Sequence, residues 1–211
     1  MAYPTKYLSG CLRSSASFRR DKKNMRLKER MMNLRRLIRN WHIKATKEED
    51  YFSKFVFEYL AFIAHVKTQL YLDVRLDRDA IQRLKQDENL KERYLLQIQS
   101  NPQLKNDWQH IKNILDSVPL GNASMNASDV KEIEWWNCAY NNLCQRTNEE
   151  KQKTKGVIYS LEDWENMVEF WYSVRNNLFH GTKNPESERD QFAVEYSYRT
   201  LRELVELYVG T

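Results

Sequence analysis

Glycine and proline are scarce in this chain, five and four among 211 residues, too few turn-formers to punctuate a β-rich architecture. Stretches dense in Leu, Lys, Glu, Arg, Gln and Met stand in their place, and these residues favour helix. No run of about 18 apolar residues occurs, which argues against a helical membrane span. Residues 1–20 lack the continuous apolar stretch of a secretory signal and resemble an organelle transit peptide only faintly, through Arg and Ser without acids. The expected setting is therefore cytoplasmic, with no membrane partner. Cys11, Cys138 and Cys144 form neither a CxxC pair nor an even set, so a disulfide framework is not expected. His42, His65, His110 and His180 show no HxxxH spacing and no thiol at zinc-ligand spacing. Neither a metal site nor another cofactor is expected from them.

Charge and aromatic rings are abundant. The net charge of +5 hides an asymmetry: residues 1–45 carry 13 Lys and Arg against Asp21 and Glu29, whereas the remainder holds 21 basic and 27 acidic side chains. A basic arm on a mildly acidic body suits attraction to phosphate backbones or to an acidic partner, and equally a solvated helix face. Six Trp and twelve Tyr allow a small number of helices to bury much apolar area.

Apolar residues at Leu27, Met31, Leu34, Ile38 and Trp41 draw one stripe along a helix over 21–41, with Lys28, Arg35, Arg36 and Arg39 largely off it. Thr46 followed by Glu48 and Glu49 predicts the next helix start. Phe52, Phe55, Tyr59, Phe62, Val66 and Leu70 then share one broad apolar face, suited to a bundle centre. A charged helix is predicted from Asp77 to about Gln99, and another from Pro102 to Ser117. Residues 121–128 (GNASMNAS) read as a loop, followed by a helix capped by Asp129 and holding Trp135, Trp136, Ala139 and Leu143. The tryptophan pair suits a core or a dimer interface better than a base-stacking platform, and His65 suits the core. Ser160 to Asp163 reads as a capping box opening a helix over about 160–181, with Trp164, Met167, Val168, Trp171, Val174 and Leu178 on its buried side. Gly181 is placed to end it. A last helix is expected over about 187–208. These elements predict an all-α protein of about seven helices: a basic N-terminal arm over 1–20 and a single-domain helical bundle over 21–211.

Four polar or ionisable residues, Arg175, Asn176, Asn177 and His180, crowd the end of that amphipathic helix. Residues 175–181 (RNNLFHG) resemble the HEPN signature, in which an arginine is followed by a polar residue and, after four to six positions, by histidine. Leu178 in the apolar stripe, Gly181 after His180 and one final helix downstream match as well. Arg36 and His42 also fall within the tolerated interval, but Leu37 follows the arginine and that pair is set aside. The resemblance covers these seven residues and the helical context from about Ser160 to Tyr208.

The resemblance implies an all-helical homodimer, a metal-independent endoribonuclease with Arg175, His180 and Asn176 as catalytic residues at a composite cleft. It also implies a prokaryotic toxin or anti-phage defence role, restrained by an antitoxin or other regulatory partner. Certain toxin members carry a tyrosine two residues after the histidine, where this chain has Thr182. Physically, a histidine titrating near neutrality can take the ribose 2′-OH proton or protonate the leaving oxygen. Arginine can donate paired hydrogen bonds to the phosphate as charge builds on it. Such a reaction requires RNA, because DNA lacks the 2′-OH. Asn177 and Lys183, with Arg35, Arg36 and Arg39, are the expected RNA contacts. At 100° per residue Arg175 and His180 lie about 140° apart around the axis, so two motif helices across a two-fold axis would make a better clamp than one. The alternative is a non-catalytic helical module that binds RNA, a nucleotide or an acidic protein.

Overall fold

The computed structural model describes the backbone of residues 15–117, 120, 135–136, 153–154 and 156–209, and side-chain environments for 29, 31–117, 120 and 156–209. Contacts divide the chain into two units, Met1–Arg36 and Leu37–Thr211. The described residues form seven α-helices: α1 Ser15–Lys47, α2 Tyr51–His65, α3 Asp77–Lys85, α4 Glu88–Ser100, α5 Pro102–Ser117, α6 Trp164–Phe179 and α7 Glu188–Val209. A π-helical turn, Val66–Leu70, extends α2, and Trp135–Trp136 (β1) pairs antiparallel with Lys153–Thr154 (β2). No helix among the described residues is long and apolar enough to cross a membrane. The all-α class is as expected, apart from that minimal ladder.

In the first unit, the described part of α1 exposes Met31, Met32, Arg35 and Arg36. In the second, α7 packs along α2 and also meets α5 and α6, while α3 lies on α6 and α4 on α5. Trp171 of α6 is fully buried and sits at the centre of a ring cluster with Phe62, Tyr94, Trp108 and Trp164, at centroid distances of 5.6–6.3 Å. Buried indole and phenol groups need partners, and those of Trp171, Trp108 and Tyr94 have them. Trp171 Nε1 donates to Thr200 Oγ1 at 2.9 Å, Trp108 Nε1 to the Tyr94 hydroxyl at 3.0 Å, and Tyr94 in turn to the Thr200 carbonyl at 2.8 Å.

Several boundaries differ from those expected, each for a local reason. Thr46 belongs to α1, where its hydroxyl donates back to the Ile43 carbonyl. The cap of α2 is Asp50, whose carboxylate accepts the Ser53 N–H at 2.8 Å. Leu70 leaves the apolar face because the π turn adds a residue per turn and rotates the register. Phe55, Tyr59, Phe62 and Val66 are buried, while Leu70 is exposed. The charged segment after Asp77 is two helices, since Asp87 starts α4 by accepting the Leu90 N–H. The start of α6 is set by Asp163, which accepts from Asn166, instead of by Ser160. Of the helix expected after Asp129, only Trp135 and Trp136 are described, and these are extended strand; the rest of that stretch lies outside the described residues.

Candidate functional site

The last turn of α6 is built by its stop signal. Gly181 adopts φ +69°, its N–H donates to the Leu178 carbonyl at 3.1 Å, and the Thr182 N–H reaches back to the Asn177 carbonyl at 3.0 Å. These two bonds are a Schellman closure. His180 is the C-cap residue, at φ −86° and ψ 5°, and it stands exposed beyond the last turn. Its backbone N–H donates to the Asn176 carbonyl at 2.9 Å. Its imidazole has no partner among the described residues.

Arg175 is held more firmly. Its side chain is 27% exposed and donates from Nη2 to Asp77 Oδ2 at 3.3 Å and from Nη1 to Asn176 Oδ1 at 2.9 Å. The guanidinium also lies over the Phe179 and Tyr59 rings, 4.8 and 5.6 Å from their centroids, where stacking favours a cation. Its buried Nε has no hydrogen-bond partner. Asp77, the first residue of α3, also accepts from Lys67 Nζ at 2.9 Å. Two partly exposed cations therefore share one carboxylate.

Arg175, Asn176, Asp77 and Lys67 form one cluster, and no hydrogen bond or ion pair joins Arg175 to His180. At 100° per residue their positions lie about 140° apart around the α6 axis. Asn176 orients the arginine and not the histidine. Asn177 is only 5% exposed, and its carbonyl accepts both the N–H and the hydroxyl of Thr182. Lys183 is 6% exposed and paired with Asp190 at 2.5 Å. Arg35, Arg36 and Arg39 are exposed on α1 and have no ion-pair partner among the described residues. The buried acids Glu58 and Glu169 are bound elsewhere: Glu58 to His42, Glu169 to Arg78 and Lys85.

No family model, curated protein or solved structure matches the chain. The side chains alone carry the functional reading.

Lys67 and Asp77 are the site members that sequence reasoning missed. Their partners are 98 residues apart in the case of Asp77 and Arg175, and no local pattern encodes that distance. One signal was available: Asp77 was legible as an acid at a helix start. Exposed apolar side chains also occur at this end of α3 and α6, with Leu72 76%, Leu76 66% and Phe179 57% exposed.

Proposed function

We propose that the chain is a metal-independent endoribonuclease of the HEPN type, cutting RNA through the ribose 2′-OH at a site shared by two copies. One observation carries this reading. Arg175 is pre-oriented by Asn176, Asp77 and two aromatic rings, while His180, on the same helix end, is exposed with its imidazole unpartnered. A fixed arginine offers paired donors to a phosphate without reorganising during the reaction. An accessible imidazole is the acid–base group. Because the two do not converge within one chain, a second motif helix completes the clamp, and the exposed Leu72, Leu76 and Phe179 suit its docking. Lys67, the second cation on Asp77, adds a phosphate contact at the same cluster. A cytoplasmic toxin or anti-phage role under an antitoxin or regulatory partner belongs to the same proposal.

The test incubates parent and His180→Ala proteins with mixed cellular RNA in excess EDTA and analyses the product ends. The parent alone is expected to cleave, leaving 2′,3′-cyclic or 3′-phosphates and 5′-hydroxyls, while light scattering reports a dimer for both. Equal cleavage by the variant rules out His180 as the catalytic group.

One observation favours a non-catalytic module binding RNA, a nucleotide or an acidic protein: Arg175 is already ion-paired with Asp77, which lowers its attraction for an incoming phosphate. Charge reversal at Arg35, Arg36 and Arg39 separates the readings. A binding module loses its function, whereas an enzyme chiefly loses affinity and salt sensitivity.

A further inference from the structure

A second arginine–histidine pair lies on α1, within the second unit. Arg39 and His42 are three residues apart and so share a helix face. Together with Ile43 they line a surface groove whose other wall is Glu206 and Val209 of α7. His42 is anchored from behind: its Nδ1 lies 2.8 Å from Oε1 of Glu58, a carboxylate with no solvent exposure on α2. That bond fixes the ring and leaves Nε2 unpartnered among the described residues, with the side chain 13% exposed. Arg39 is exposed and unpaired. Glu206 is ion-paired with Arg202, whose Nε lies 2.7 Å from Oε1.

We propose that Arg39 and His42 form a binding site for a phosphomonoester group in this groove. A guanidinium fork takes two oxygens of an anion. A carboxylate offers its two oxygens in one plane, whereas a phosphate also presents a third oxygen, out of that plane, to the imidazole Nε2–H, so its shape suits both donors. Ile43 and Val209 wall the groove with apolar surface, which strengthens charge-assisted bonds beside them. The site involves none of the residues at the end of α6 and shares only Arg39 with the expected RNA contacts, so phosphate binding read at His42 and RNA cleavage read with His180→Ala remain separate outcomes. A Glu58–His42 contact serving only to dock α1 on α2 would need neither an unpaired Arg39 nor an open Nε2.

The groups facing His42 are Arg39 on α1, Glu58 on α2, and Arg202 and Glu206 on α7. The Glu58 hydrogen bond is the largest influence on His42 and raises its pKa against the opposing effect of burial, favouring the imidazolium that donates from Nε2. Binding therefore weakens as pH rises through that raised value.

The experiment titrates the full chain, with ¹⁵N-labelled histidine, with inorganic phosphate at constant ionic strength set by chloride. A saturable shift of the His42 Nε2 resonance is expected, weakened about tenfold by Arg39→Ala through loss of charge-assisted bonds. Arg39 is exposed, so the variant retains the fold. No saturable shift, or equal affinity in the variant, overturns the proposal. Two further arms use adenosine 5′-monophosphate and a 5′-phosphorylated oligoribonucleotide, each against its 5′-hydroxyl counterpart. Phosphate-dependent binding in one arm identifies a free metabolite or an RNA end as the source, and its absence from both overturns the site.

Discussion

Glu169 is a charge placed where water does not reach. It is fully buried on α6 with Arg78 at 2.6 Å and Lys85 at 2.5 Å, and Lys85 is itself only 2% exposed. Burial pushes this carboxyl up, but the two cations outweigh it and hold it below the usual range. Burial pushes the Lys85 amine down, with Glu169 opposing. Removing the carboxylate takes the shared counter-ion from a buried ammonium and a guanidinium, so Glu169→Gln is expected to destabilise the protein by roughly 3–5 kcal/mol in urea titrations. His42 and Glu58 set a pH dependence. Folding raises the His42 pKa above 6.5, so its contribution is complete below that value and is lost as pH climbs through the folded one. Burial also raises the Glu58 carboxyl above 4.5, with His42 opposing, which adds a loss of the same sign that begins above pH 4.5. Thermal midpoints are expected to fall as pH rises through the range above 6.5, and Glu58→Gln to flatten that fall. At the candidate site, Asp77→Asn removes the carboxylate that Arg175 and Lys67 share. RNA binding is then expected to tighten, with a log–log salt slope steeper by about 1 in fluorescence anisotropy. An unchanged slope would place both cations outside the RNA contact.

Elements end and join in this protein through two glycines with the same backbone angle and different surroundings. Gly156 and Gly181 both have φ +69°, but a Cβ on Gly156 would lie 2.0 Å from the Leu120 carbonyl oxygen, whereas one on Gly181 would meet nothing within 4 Å. The Gly156 carbonyl also accepts the Leu120 N–H at 3.0 Å, which ties the segment before α6 to a residue three positions past the end of α5. Gly181→Ala is expected to cost about 1 kcal/mol, the penalty of the left-handed conformation alone. Gly156→Ala must displace backbone as well, and its loss is expected to be at least twice as large. Equal losses in matched urea titrations would show that the close approach to Leu120 does not hold in solution. The π turn after α2 has a similar local logic. It swings Lys67 toward Asp77 and releases Leu70 from the apolar face, and such turns recur where a helix must redirect a side chain.

On the scale of the molecule, the helical class and the positions of α2, α5, α6 and α7 are legible from periodicity, because a buried helix face repeats every 3.6 residues. The stop at Gly181 is legible because a left-handed closing residue is nearly always glycine. The split between α3 and α4 is not, since Asp87 is one acid among many in a charged stretch. The candidate site is legible in part: Arg175, Asn176 and His180 stand in one short segment, but Arg175 also meets Tyr59 of α2 and Asp77 of α3, and Lys67, which shares Asp77, comes from the π turn.

Local composition and spacing determined by themselves that this chain is helical, that its strongest polar cluster ends an amphipathic helix, and that Arg175 and His180 point different ways around it. Helix geometry is a property of consecutive residues, so sequence suffices for those statements. Tertiary structure alone decided which acid each cation meets. Asp77 and not Glu169 faces Arg175, Asp190 holds Lys183, and Glu58 anchors His42. Ion pairs depend on distances of a few ångströms between elements far apart in the chain, and those distances exist only once the core around Trp171 has packed.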